Sequence, residues 1–385
     1  MENEKKPNKV LEFLMKTLNG MAYGLFATLI VGTIFGTFGT LFGYGVETSK
    51  FCAAMARIFG YKNEALGINW FGISNILSCI TGAGIGVGVA LSMKFSPLKT
   101  VVLAVVGEIA ACLSLSTKVI DNTALLSIFD THFNFSFQIG DPLTIYLVCI
   151  SVALLMEVVL KKKTPVDIII IPLFGVAVST LLSLGIRYPA ICVTYAIQWL
   201  VNSGTQTVPF IMGIIVAVLM GMALTAPISS AAIAAMIFTG SGAGLALASG
   251  AAVVGCSTQM VGFAIQSRKD NNVGTVISIG IGTSMLQFKN ILKKPIIWLP
   301  TIITSAILGP ISTCAFHLVC NGSAAGMGTA GLVGQIGTIS SMPLSSWELW
   351  VGLLLLEIIA PIVLVFGFDL LFRKLGWIKE GDLKV

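Results

Sequence analysis

The apolar run from Ile211 to Phe238, IMGIIVAVLMGMALTAPISSAAIAAMIF, is interrupted near its centre by Thr225-Ala226-Pro227-Ile228-Ser229-Ser230. A proline removes one backbone donor and its ring collides with the preceding turn, so a helix kinks or opens at Pro227. Hydrocarbon accepts such a break only where protein or a water-filled cavity surrounds it. Discontinuous helices near the bilayer midplane are a recurrent way to build a carrier's binding site. The segment therefore predicts a membrane protein that makes room for a guest.

The solvent follows from composition. Of the 385 residues, 56% are hydrophobic and 10% are charged, whereas soluble domains carry roughly 25% charged residues. A water-facing surface cannot be assembled from so few charges. At roughly 20 residues per crossing, the chain has room for about ten spans. The net charge of +6 sits in short loops at the ends of apolar runs, where cytoplasmic positive charge is expected, so nucleic acid is not called for. Cys52, Cys79, Cys112, Cys149, Cys192, Cys256, Cys314 and Cys320 lie mostly in apolar stretches without metal-ligand spacing. They read as free, small hydrophobes. No cofactor or metal is expected.

Charge placement gives an order of crossings. Residues 1–20 read as a retained cytoplasmic amphipathic helix and not a signal peptide, 21–373 as one transmembrane domain, and 374–385 as a cytoplasmic tail. The run from Met21 to Leu41 goes outward from Lys5, Lys6, Lys9 and Lys16. Phe51 to Gly60 is too short to span. The segment from Lys118 to Asp141, with Asp121, Asp130 and His132, is expected outside, and Lys161, Lys162 and Lys163 inside. Ile168–Gly185 and Tyr188–Val201 read as two crossings that meet near Arg187. Val273–Phe288 has basic residues on both flanks and Gly322–Met342 is glycine-rich, so both read as re-entrant hairpins. The expectation is an all-α polytopic membrane protein with about ten spans, two hairpins and both termini cytoplasmic.

The tracts GAGIGVGV (82–89) and GAGLALAS (242–249) look alike. Either they mark an internal duplication, or small residues at four-residue spacing let helices approach closely.

Intramembrane acids and polar residues are the candidates for chemistry, because charge in hydrocarbon is expensive. Glu108 lies mid-run as a hydrogen-bond acceptor, a proton site or a bridge between helices. Glu357 reads as a packing or pairing residue, and Asp369 as an ion pair near Arg373. A neutral constellation is expected to bind the solute: Thr225, Ser229 and Ser230 around Pro227, Gln259 in the following span, Thr283, Ser284 and Gln287 in one hairpin, and Gln335 in the other. Amides and hydroxyls offer directed donors and acceptors without net charge, as a polyol requires. There is no Walker lysine motif, HExxH or GxSxG, so neither ATP hydrolysis nor covalent catalysis is indicated.

The strings GMALTAPISSAAIAAMI, GTSMLQFKNILKKPIIWLPTIITSAILGPIS and GAGLALASGAAVVGCSTQMVGFA resemble membrane proteins of the phosphotransferase-system enzyme IIC-like group, in the branch named for regulation of the toxin perfringolysin. The resemblance covers nearly the whole chain. It implies a bacterial cytoplasmic-membrane protein, an enzyme IIC-type fold with two hairpins, and a homodimer. The chain departs from the sugar-transporting members, whose hairpin carries a glutamate in a Gly-Ile-Thr-Glu type motif, since GTSMLQ and GTAGLVGQ contain no acid. No IIA- or IIB-type domain is fused to it, so phosphorylation coupling would require separate cytosolic partners. The expected function is a carrier for a small polar solute, a carbohydrate or a relative, working by alternating access. The alternative is a ligand-sensing membrane regulator that moves no solute.

Overall fold

The computed structural model describes residues 9–63, 67–114, 140–161, 164–226, 230–240 and 242–385. Pro227, Ser229, Asp121, Asp130, His132, Lys162 and Lys163 lie outside the described residues. The first helices are α1 (Lys9–Leu25), α2 (Val31–Gly43) and α3 (Lys50–Phe59). An antiparallel hairpin follows, β1 (Tyr61–Asn63) with β2 (Ile68–Trp70), in which Tyr61 faces Trp70. Next come α4 (Ile73–Cys79), α5 (Thr81–Ser92), α6 (Pro97–Leu113), α7 (Pro142–Val159), α8 (Asp167–Thr207), α9 (Pro209–Thr225), α10 (Ser230–Phe238) and α11 (Ala243–Gln266). The remainder is α12 (Val273–Ile277), α13 (Phe288–Lys293), α14 (Leu299–Ile311), α15 (Gly322–Ala325), α16 (Val333–Ser341), α17 (Trp347–Leu354) and α18 (Ala360–Lys374).

Local chemistry sets several of these boundaries. Pro97, Pro142 and Pro209 each open a helix, where the missing N–H would have had no partner in any case. Asp141 caps α7 by accepting from the Thr144 N–H at 2.8 Å. His317 adopts a left-handed conformation, φ 45°, and ends the helix that began at Leu299. The extended chain beyond it is satisfied by Ser249, whose hydroxyl donates to the Cys320 carbonyl (2.8 Å) and accepts from the Cys320 N–H (3.0 Å).

The chain divides into two compact units, Met1–Leu29 with Ile76–Val193, and Ile30–Asn75 with Thr194–Val385. In the first, α5 packs through glycines at every second position. Two residues along a helix turn it by about 200°, so alternate glycines fall on opposite faces. Gly84 and Gly88 meet α1, and Gly82 and Gly86 meet α6. A Cβ on Gly88 would lie 1.9 Å from the Gly20 carbonyl oxygen, and one on Gly86 would lie 2.0 Å from that of Leu103. The GAGIGVGV tract is thus two interleaved close-packing stripes, which supplies a packing reason for it. Leu103, Val106, Ile145, Val148, Cys149 and Met156 fill the core between these helices.

In the second unit α11 is central, with 83% of its apolar window buried. Gly255 lets α9 approach it, a Cβ there falling 2.0 Å from the Ala217 carbonyl oxygen. Gly213 and Gly309 bring α9 and α14 together in the same way. At the end of α18 the buried carboxylate of Asp369 pairs with Arg268 and with Arg373, each at 2.9 Å. The expected pair with Arg373 is therefore present, with a second arginine joining it. All eight cysteines are free.

Among the described residues six helices are long and apolar enough to cross a membrane, or seven if the bent pair α4–α5 is one span. The two crossings expected to meet near Arg187 are instead one 41-residue helix, α8, which contains Pro172 and Pro189. Arg187 between two apolar runs reads as a loop residue, yet the helix carries it without a break. Nor does the expected boundary at residue 20 interrupt α1, which runs on to Leu25.

Gly86→Val is expected to abolish accumulation of monodisperse protein in detergent, because backbone on the neighbouring helix cannot move aside. Gly367, which has nothing within 4 Å of its Cβ position, should accept alanine with a gain of up to about 1 kcal/mol from helix propensity. Size-exclusion profiles and thermal unfolding of the two variants compare them directly.

Candidate functional site

α9 ends at Thr225, Ala226 is extended (φ −70°, ψ 157°), and helix resumes at Ser230. The interrupted run is thus two helices. At the end of the first, the Thr225 hydroxyl is fully buried and hydrogen-bonded to the Ser284 hydroxyl at 2.9 Å. It also lies 3.4 Å from Gln259 Oε1 on α11. That oxygen accepts from Trp298 Nε1 at 3.0 Å and from the Thr301 hydroxyl at 2.9 Å. Donors converging on one atom of the amide fix which way it points. Gln259 Nε2, with two N–H groups, is left buried without a partner. An unmade bond of this kind costs about 1–3 kcal/mol, and an acceptor brought in by a guest would recover it.

Thr225, Gln259 and Ser284 are therefore brought together from α9, α11 and the segment between α12 and α13. Trp298 and Thr301 complete the group. Both were legible as polar positions in IIWLPTII, where an indole N–H needs a partner once buried, but neither was singled out.

The other expected residues do different work. Ser230 donates to the Gly326 carbonyl at 2.6 Å, repairing backbone beside α15. Thr283 accepts from the Met285 N–H at 3.2 Å and caps the short turn beginning at Ser284. Gln287 donates to the Leu383 carbonyl at 2.9 Å and accepts from Asn290 at 2.9 Å. Gln335 belongs to a second group, donating to Glu357 Oε2 at 2.5 Å and to the Ser257 hydroxyl at 3.3 Å. Thr338 donates to the other oxygen of Glu357 at 3.2 Å. Glu108 lies in the first unit, where its Oε2 accepts from the Ala83 N–H at 3.1 Å. Ala83 is in the first turn of α5, just after a 54° bend from α4, so the carboxyl caps an N–H that the bend leaves without a helical partner.

The two segments of short helical pieces touch: Thr329 donates to the Gly280 carbonyl at 2.5 Å. The chain end holds the first of them. Besides the Gln287 bond, Asn290 donates to the Lys384 carbonyl at 3.0 Å, and Lys294 pairs with Asp382 at 2.6 Å. Leu383 is fully buried there, together with Ile378. Burial pulls the Asp382 carboxyl upward, but the Lys294 hydrogen bond and the Lys379 N–H outweigh it and hold the group below its usual range.

A carboxyl lowered on folding stabilises the fold above its unfolded pKa, about 3.9, and that stabilisation is lost as pH falls through the lower folded value. Release of the chain end, followed by proteolysis of residues 375–385, should therefore sharpen below about pH 4. Asp382→Asn should release the end already at neutral pH, at a cost of up to about 1 kcal/mol. Gln259→Leu should destabilise the second unit by about 1–3 kcal/mol by orphaning the Trp298 Nε1 donor, read by thermal unfolding, since Thr301 and Thr225 keep other partners.

Comparison with protein families matches residues 15–385 to the model described as Phosphotransferase system, EIIC. No curated protein matches the chain. The match spans all but the first residues, and with apolar helices of spanning length it describes a multi-pass membrane protein: the chain belongs to the phosphotransferase system EIIC family.

Proposed function

We propose that the chain is a membrane carrier for a small neutral polar solute, a carbohydrate or a close relative, which it moves by alternating access. The observation that carries this reading is the lone Gln259 amide nitrogen, buried beside an interrupted helix and hemmed by hydroxyls. A hydroxyl-bearing guest would supply the missing acceptor, and Thr225 and Ser284 could exchange their mutual bond for bonds to it. The partly exposed Trp298 offers an apolar ring face for the C–H side of a sugar. Membership of a family of phosphotransferase-system membrane components supports a sugar as cargo.

On this proposal Val273–Phe288 and Gly322–Met342 are the two re-entrant hairpins, a reading supported by the shortness of the helical pieces within them. With these, about ten crossings put both termini in the cytoplasm of a bacterium, with the shorter apolar helices crossing as well. Separate IIA- and IIB-type proteins would then be the cytosolic partners. A homodimer is carried over from the family resemblance alone.

The test is binding and flux with a panel of neutral mono- and disaccharides, using the full chain in proteoliposomes. One sugar class is expected to bind and to cross. Gln259→Leu and Ser284→Ala should each weaken binding by about three- to tenfold, the value of one neutral hydrogen bond. Failure of every sugar to bind, or unchanged affinity in both variants, would overturn the assignment. Binding without flux would move the reading to a sensor.

A further inference from the structure

A second buried polar group in the same unit lies outside the solute site. Glu357 stands in a π-helical turn, Leu355–Ile359, between α17 and α18, and its side chain is completely buried. Among the described residues no lysine, arginine or histidine pairs with it. Its two oxygens are met only by neutral donors, the Gln335 amide and the Thr338 hydroxyl. An ionised carboxylate sealed from water without a counter-cation costs several kcal/mol. Addition of one proton removes that charge.

The surroundings suit both forms. Gln335 Oε1 is buried and unpartnered, so the amide can offer its NH2 to a carboxylate or, turned by half a revolution, its carbonyl to a carboxylic acid. The Ser257 hydroxyl, 3.3 Å from the amide nitrogen, can accept in the first arrangement and donate in the second. The backbone beside the site departs from regular geometry. Leu332, immediately before α16, is left-handed at φ 61°, a strained choice for a side chain of its size. π-turns recur at functional positions in membrane helices and elsewhere.

Few other groups in the neighbourhood titrate. Of the helices against this turn, α17 carries Glu348, and α18 carries Asp369, Arg373 and Lys374 near its far end, while α11 and α16 carry no charge. Cys256 and Cys320 are buried thiols in the same core as Leu356.

We propose that Glu357 is a proton-binding site: it takes one proton from water and returns it, with the Gln335 amide turning over to follow. In the anionic form Nε2–H donates to Oε2, and in the acid form the carboxyl O–H donates to Gln335 Oε1. Exchange with water requires α16 to move from its place over Ser257, and the strained turn at Leu332 is where that movement starts. Ser257 and Gln259 are two residues apart on α11, which turns them by about 200° to opposite faces of that helix. The proton site does not depend on which solute, if any, is carried.

Infrared difference spectroscopy of the full chain in lipid, between acidic and alkaline buffer, tests it without any solute. The wild type should show a protonated-carboxyl band that disappears on alkalinisation and is absent from Glu357→Gln, while Glu108→Gln retains it. Gln335→Leu keeps the acid but removes its partner in both forms, and the bond lost from the anion is the stronger because it is charge-assisted. Its deprotonation should therefore move to higher pH by about one unit, a tenfold gain in proton affinity, and this variant carries the test if Glu357→Gln does not fold. A band that survives Glu357→Gln, a band that never titrates, or an unmoved midpoint in Gln335→Leu would each overturn the proposal. None of these outcomes touches sugar binding, which is measured separately.

Discussion

In lipid a backbone N–H or C=O that leaves its helix finds no water, and this constraint organises the molecule. At several helix breaks among the described residues a polar side chain meets the exposed backbone group. Ser249 serves both backbone groups of Cys320, Ser230 the Gly326 carbonyl, Thr329 the Gly280 carbonyl and Glu108 the Ala83 N–H. Gln266 does the same for the Ile297 carbonyl at 2.9 Å. Most intramembrane polar residues are therefore repairs to the fold. A residue becomes a candidate for function when its polar atoms outnumber the repairs around it. Gln259 meets that test: its oxygen takes donors from three neighbours while its nitrogen takes none.

The same accounting explains how much could be read from the residues in order. Membrane class, helical content and the break after Thr225 follow from composition and one proline, because the bilayer leaves few alternatives. The glycine tract at 82–89 was legible as a packing device, and its period of two shows why α5 touches helices on both sides. Crossing count was less legible. Arg187 and Pro189 look like a turn in sequence, yet a proline inside a lipid-facing helix loses only one hydrogen bond and need not end it. α8 accordingly runs through both, with only 22% of its apolar window buried.

The polar constellation was legible by type and not by grouping. Thr225, Gln259 and Ser284 come from three separated segments, and no spacing in the sequence declares that they meet. Gln287 reads in sequence like Gln259, but it donates to the Leu383 carbonyl of the chain end, 96 residues away, and accepts from the Asn290 amide three residues on. Trp298 and Thr301 were passed over because each looked like an ordinary residue at the start of a span. Their role becomes visible only when Gln259 Oε1 is found to need donors.

The segments GTSMLQ and GTAGLVGQ contain no acid, and geometry gives that absence a consequence. The buried carboxylate of Glu357 comes from the last long helical run, and it is held by Gln335 of the glycine-rich segment instead of standing beside Gln259. The group around Gln259 is then neutral throughout, assembled from an amide, hydroxyls and an indole. A guest entering such a group would meet directed donors and acceptors and no fixed charge, so an anionic or cationic solute would find no counter-ion there. Ser257 and Gln259 lie on opposite faces of α11, which keeps the neutral group apart from the carboxylate.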